Sequence, residues 1–415
     1  MDPSEHGRQV EEQVRQIAGV LGLPDFVFTV PPFRKGNAVR EVGDALLVAN
    51  GKGAIVQVKA RRPDAEDDGA RWLAKNGKKA VNQAKGTRRT IDEQARSGEP
   101  LTAIPVRVAT LGVELQQEAR LVLYHDVRAW PLVIVIDHPG VVGQEPPDRE
   151  AFWITLDDWH NLMLGLRSVT SLLEYVRRVM AAVPALQVPL GAEEERFMAM
   201  VGADANVGGD RGWLTVEAHK DPIAAQLYRE LVERVWPAED ELPAVPMSDY
   251  RRVVDFLDAV PPGLVPEVGR WIFAKRHEQT ERGSSSGTLI IDQVHALVYV
   301  ARTWREERDE LLLTAAAISL AIVRSAEISA QLGHFVPALA VGQLVRADGA
   351  VTYRYVAMQE HIEASVKERA LVAHNFGMMD VRARRVSELS ADPTDVCPCG
   401  SGLTFEECDA RASGW

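Results

Sequence analysis

The chain has 415 residues, enough for two or three domains, and its apolar content of 46% and charged content of 26% are those of an ordinary soluble globular protein. The longest largely apolar run, Leu311 to Val323, is too short to span a bilayer, so a buried helix and no membrane partner are expected. A formal net charge of -12 argues against nucleic-acid binding unless the charge is unevenly distributed.

Met1-Asp2-Pro3-Ser4-Glu5 lacks the basic start and apolar core of a signal peptide, which predicts a cytoplasmic location. Residues 5–21 read as an amphipathic helix, with Val10, Val14 and Ile17 at helical spacing and Leu21-Gly22-Leu23-Pro24 ending it. Asp25 to Val30 alternates as a first strand. Pro31 to Asn37 reads as a loop able to follow a phosphate backbone.

Residues 40–59 then read as two short strands around the punctuation Asn50-Gly51-Lys52-Gly53. Side chains alternate along a strand, so Ala54, Val56, Val58 and Ala60 share one face while Gln57 and Lys59 share the other. A four-residue loop would set Asp44 opposite Lys59 and Leu46 opposite Gln57, with cross-strand neighbours roughly 5 Å apart. An acid, an amide oxygen and an ammonium would then converge on one patch. An Asp–Lys pair on a surface hairpin is also a common structural feature, but this set suits metal-assisted phosphodiester hydrolysis. Mg²⁺ or Mn²⁺ needs one or two carboxylates and takes its other ligands as neutral oxygens. Asp44 offers the carboxylate, Gln57 the amide oxygen and Val58 its main-chain carbonyl. Lys59 can orient or help deprotonate water and offset charge on phosphorus.

Two flanking stretches bear on this patch. Gly7-Arg8-Gln9-Val10-Glu11-Glu12 sets a glutamate after a glycine on the first helix, with Glu11 favoured over Glu12. Lys79-Ala80-Val81-Asn82-Gln83-Ala84-Lys85-Gly86 carries a glutamine on the helix after the hairpin. Between Arg71 and Thr90, Lys75, Lys78, Lys79, Lys85, Arg88 and Arg89 occur without an acid until Asp92, a basic stretch suited either to phosphate contact or to a solvated helix face. Asp44 followed by Gln57-Val58-Lys59 resembles the signature of the PD-(D/E)XK, restriction-endonuclease-like nucleases, in the form used by their Mrr-like branch. The resemblance covers roughly residues 5–180. It implies an α/β restriction-endonuclease-like domain with a central mixed sheet, a metal near Glu11, Asp44, Gln57 and Val58, and Gln83 directed into the site. Gln57 stands where the family more often has Glu, which lowers the negative charge and leaves one or two metals open.

Thr102 to Gly112 and residues 119–126 read as strands. Trp130-Pro131-Leu132-Val133-Ile134-Val135-Ile136-Asp137, apolar on both faces, reads as a central buried strand. Phe152 to Leu156 and a helix through Leu172, Leu173, Tyr175 and Val176 complete an α/β domain ending near residue 188. Residues 189–390 are expected to form a mainly α-helical domain, with helices over Ile223–Val235, Tyr250–Ala259, Glu267–Arg276, Asp292–Arg305 and Glu310–Val323. Arg282 to Gly287 reads as a loop, and a hairpin is expected to turn at Asp348-Gly349.

All three cysteines fall in Cys397-Pro398-Cys399-Gly400-Ser401-Gly402-Leu403-Thr404-Phe405-Glu406-Glu407-Cys408-Asp409, a spacing that suggests a metal site rather than disulfides. The run resembles the SEC-C zinc motif. That resemblance implies a zinc knuckle on Cys397, Cys399 and Cys408 for protein-partner contact, with Asp409 departing from the usual fourth sulfur or imidazole ligand. Taken together, the sequence predicts a metal-dependent endonuclease cutting DNA, in bacterial defence by analogy with Mrr-like proteins. A catalytically inactive nucleic-acid-binding scaffold and a DNA-repair or RNA-processing nuclease are the alternatives. Homodimerisation stays open.

Overall fold

In the computed structural model the described residues are 3–376 and 384–385. Residues 31–32, 36–37, 41–42, 62–67, 98–101, 110–115, 117–118, 120, 123–126, 183–185, 207–221, 237–244, 292–294, 359 and 361 are left out. The predicted zinc ligands Cys397, Cys399, Cys408 and Asp409 lie outside the described residues. The chain divides into two compact units, Met1–Ala203 and Asp204–Trp415.

The first unit opens on α1 (Pro3–Leu21), whose Val10, Val14 and Ala18 are buried on one face. Then come β1 (Val27–Thr29) and a small antiparallel pair, β2 (Phe33–Lys35) and β3 (Ala38–Arg40), where the sequence suggested a loop. The central hairpin is β4 (Ala45–Ala49) and β5 (Lys52–Ala60). After it run α2 (Gly69–Ser97), β6 (Thr102–Pro105), β7 (Leu121–Val122), β8 (Leu132–Asp137) and β9 (Phe152–Thr155). Three helices follow: α3 (Leu156–Leu166), α4 (Val169–Ala182) and α5 (Glu193–Asn206).

The strands form one mixed sheet in the order β7-β6-β1-β4-β5-β8-β9. β5, β8 and β9 run parallel, and the remaining pairs are antiparallel. The first unit is therefore an α/β domain. Leu132 to Ile136 are buried on both faces of the sheet, as the unbroken apolar run required. The α2 helix covers one face: its buried positions Leu73, Gly77, Ala80, Ala84, Thr87 and Ile91 recur every three or four residues, and Leu73, Ala80, Val81, Ala84 and Ile91 pack with Leu46, Ile55, Ile134 and Ile136. Gly53, at the foot of β5, lies directly under the Trp130 indole, and a Cβ there would stand 2.4 Å from the ring.

The second unit corrects the expectation of a mainly helical domain. It contains α6 (Pro222–Glu233), α7 (Met247–Asp258), α8 (Val265–Arg282), α9 (Arg308–Leu332) and α10 (Val366–Phe376). Its centre is a sheet built from β10 (Ser284–Ile291), β11 (His295–Thr303), β12 (Ala338–Val345), β13 (Val351–Met358) and β14 (Arg384–Arg385), in the order β13-β12-β11-β10-β14. The expected helix over Asp292–Arg305 is β11, and the expected loop after Arg282 is the start of β10. Residues 296–301 are all buried, so β11 shows no alternation, and a short apolar run of this kind has no period to tell strand from helix. The β12–β13 hairpin turns at Asp348-Gly349 as expected. The α9 helix is long and apolar enough to cross a membrane, yet Leu313, Ala317, Leu320 and Ala321 are buried in a core with Val298 and Ala340.

Candidate active site

The hairpin register differs from the expected one by two residues. Asn50 and Gly51 both take left-handed backbone angles, φ 50° and 69°, so they alone make the turn and Lys52 already pairs with Ala49. Leu46 therefore faces Ile55 in the core rather than Gln57. The ladder ends at Ala45–Val56, and Asp44, at a bend just before it, meets Gln57 through its side chain rather than facing Lys59. Because the displacement is even, the paired strand residues keep their predicted faces, and the Asp44 carboxylate still reaches Gln57 and Val58.

Asp44 is fixed on several sides. Its amide N–H reaches Val56 O at 3.2 Å. Its Oδ2 accepts from Gln57 Nε2 and from the main-chain N–H of Val58, the latter at 2.6 Å. Lys59 Nζ donates to Val58 O at 2.9 Å. Burial pulls the Lys59 pKa below the ordinary lysine value, Asp44 and Glu11 hold it up, and Lys79 adds to the lowering. Glu11, Asp44 and Lys79 thus all lie within electrostatic reach of Lys59, and α1 and α2 each contribute a charge to the lip of the hairpin.

The residues fit a hard cation by their chemistry. Gln57 is 4% exposed, and its nitrogen is engaged by Asp44; its Oε1 has no protein partner among the described residues. An amide oxygen, a carboxylate and the Val58 carbonyl form an all-oxygen donor set of low charge, which suits Mg²⁺ better than zinc. Among the described residues no group of three or more His, Cys, Asp or Glu side chains is placed as metal ligands would be.

The helix-borne candidates divide. Buried Thr87 of α2 lies over Gly43, next to Asp44. Gln83, one turn earlier, is exposed and makes no hydrogen bond to Asp44, Gln57 or Lys59; it lines an open concavity with Lys75, Lys78, Lys79 and Asn82. Lys75, Lys78 and Lys79 have no acidic partner among the described residues. Lys85 pairs with Glu150, Arg88 donates to the carbonyls of Arg128 and Trp130 at 3.3 Å, and Arg89 lies 3.8 Å from Glu93. Of these six side chains, Lys75, Lys78 and Lys79 in the N-terminal half are the ones without an acidic or carbonyl partner among the described residues.

Glu12 is bound to Arg15. Two nearby groups escaped the sequence reading. Arg15 Nη1 donates to the main-chain O of Asp44 at 2.7 Å. His6 Nε2 stands 3.3 Å from Asp137 Oδ2, at the end of β8 where Asp137 pairs with Ala60 of β5. The one available signal was spacing, since Arg15 sits one helical turn after Glu11. Comparisons with protein-family models, with curated proteins and with solved structures find no match.

Proposed function

We propose that the first unit is a metal-dependent nuclease hydrolysing phosphodiester bonds, with DNA as its substrate. The observation that carries the reading is the placement of the Asp44 carboxylate, the Gln57 amide, the Val58 carbonyl and the Lys59 amine within one step of each other along paired strands. This is also the arrangement that the resemblance to PD-(D/E)XK nucleases implies, and the restriction-endonuclease-like fold is proposed with it.

In this reading Asp44, Gln57 Oε1 and Val58 O would hold a divalent cation, which when bound would supply Lewis-acid stabilisation of the phosphate. Gln57 donates to Asp44 and so fixes the carboxylate for its ligand role. Lys59 is tethered to a ligand carbonyl, and its lowered pKa suits it to accept a proton from attacking water or to hold that water. Water adds to phosphorus, one P–O ester bond breaks, and the departing alkoxide is protonated. Glu11 sustains the charge of Lys59. Lys75, Lys78 and Lys79 hold the phosphate backbone, with Gln83 beside them.

A defence role rests on the resemblance alone. So does the zinc knuckle of the C-terminal tail. The test is incubation of supercoiled plasmid with the full chain and Mg²⁺ or Mn²⁺. Cleavage that EDTA stops, and that Asp44→Ala and Lys59→Ala each abolish, is the expected result. Cleavage persisting in both variants refutes the site, and no cleavage by the wild-type chain on plasmid, single-stranded DNA or RNA favours the binding-scaffold reading.

A further inference from the structure

Asp44 lies just beyond the last ladder pair of its strand. Its N–H is taken by Val56, and its side chain, not its carbonyl, accepts the N–H of Val58. The Asp44 carbonyl has a partner outside the hairpin. Arg15 is that partner, at 2.7 Å across 29 residues of sequence. The guanidinium is itself held: Glu12 accepts from its Nε at 3.2 Å and its Nη2 at 2.7 Å, and Gln16 Nε2 steadies Glu12 at 3.2 Å. Both edges of the Arg15 fork are occupied, one by Glu12 and one by the Asp44 main chain. Only 17% of the side chain is exposed. One turn earlier on the same helix, Glu11 acts on Lys59.

From this geometry we infer that Arg15 is a positioning residue. It sets the main chain at Asp44, the residue read as a metal ligand. Glu12 is the brace that orients it. The inference rests on reading Asp44 as a metal ligand. A Glu–Arg pair at i, i+3 with one partner half-exposed contributes little by itself. What gives this one a task is its third contact, to a residue of the site.

The experiment uses the full-length chain as wild type, Arg15→Ala, Arg15→Lys and Glu12→Gln. Mn²⁺ affinity is measured by calorimetric titration, kcat and KM on plasmid, and thermal unfolding alongside. Arg15→Ala is expected to weaken Mn²⁺ binding and lower kcat by about 10–100-fold, the usual effect of losing a group that orients a metal ligand. KM for DNA should hold, because the basic face of α2 is untouched. Arg15→Lys should recover part of both losses, since an ammonium can still donate to the Asp44 carbonyl but cannot also fork onto Glu12. Glu12→Gln should shift both in the same direction by less.

Mn²⁺ affinity and kcat of Arg15→Ala within about two-fold of wild type would overturn the inference and leave the nuclease reading standing. So would losses that merely track the unfolded fraction. If Arg15→Ala fails to fold, Arg15→Lys and Glu12→Gln decide: unchanged affinity in both overturns the inference. A wild-type chain that neither binds Mn²⁺ nor cuts would remove the nuclease reading first, and this inference with it.

Discussion

Glu193 and Asp44 are both carboxylates of the first unit with a cation close by, and they are held in opposite ways. Glu193, at the start of α5, accepts from Tyr175 of α4 and from Nε and Nη2 of Arg196, whose guanidinium also lies 4.6 Å over the Phe152 ring of β9. Glu193, Tyr175 and Arg196 are all buried, and burial pushes the Glu193 carboxyl up while Arg196 draws it down. Their donors and acceptors close on one another, and the cluster fastens α5 to the sheet. At Asp44 the bonds come from a neutral amide and a backbone N–H, the amine stands one residue away on a carbonyl, and an amide oxygen has no protein partner among the described residues. A cluster that consumes its own valences holds elements together. One that leaves an oxygen and a depressed amine at a lip is suited to receive something.

The largest effect that would break this contrast is on catalysis. Asp44→Ala and Lys59→Ala should each cut plasmid cleavage by about 10²–10³-fold or more per folded molecule. Next, Arg196→Ala should cost about 3–5 kcal/mol in denaturant unfolding, because Glu193 would be buried without its cation, while cleavage per folded molecule stays level. If instead it destroyed cleavage and spared stability, the assignment of roles would be reversed.

The same division runs along α2 and predicts a smaller effect on binding. Three available lysines imply a slope of log affinity against log salt of about −2.7 on duplex DNA, against about −5.4 if all six basic side chains took part. Changing Lys75, Lys78 and Lys79 together to Gln should flatten the slope, whereas the same change at Lys85, Arg88 and Arg89 should leave it in place.

The smallest effect is on pH-dependent stability. Lys59 has a folded-state pKa below the 10.5 of a free lysine, so between the two values the unfolded chain binds more protons and wild-type stability rises with pH. Below that window the cost of burying its charge is fully present. Lys59→Met should therefore exceed wild type in stability at neutral pH, with the gap closing as pH approaches 10.5. A constant gap would show that Lys59 is not strained by its burial.

Much of the candidate patch was legible because it depends on local rules. Alternation assigned Gln57 and Lys59 to one face, and Asn50-Gly51 announced a turn. Turn length was not legible, since Lys52 and Gly53 also look like turn residues, so the pairing came out two residues away. What the sequence hid was tertiary. That Lys85 is neutralised by Glu150, 65 positions on, or that the Asp44 carbonyl needs Arg15, appears only when the elements pack. In the second unit β11 was misread for a simpler reason: buried on both faces, it carries no periodic signal.

Gly53 has a consequence for anyone who later collects relatives of this chain. It touches no proposed substrate and does no chemistry, yet the indole above it forbids any side chain, so selection should guard it as strictly as Lys59. Invariance at that position would record a steric prohibition, and a ranking of sites by evolutionary constraint alone would mistake it for part of the catalytic apparatus.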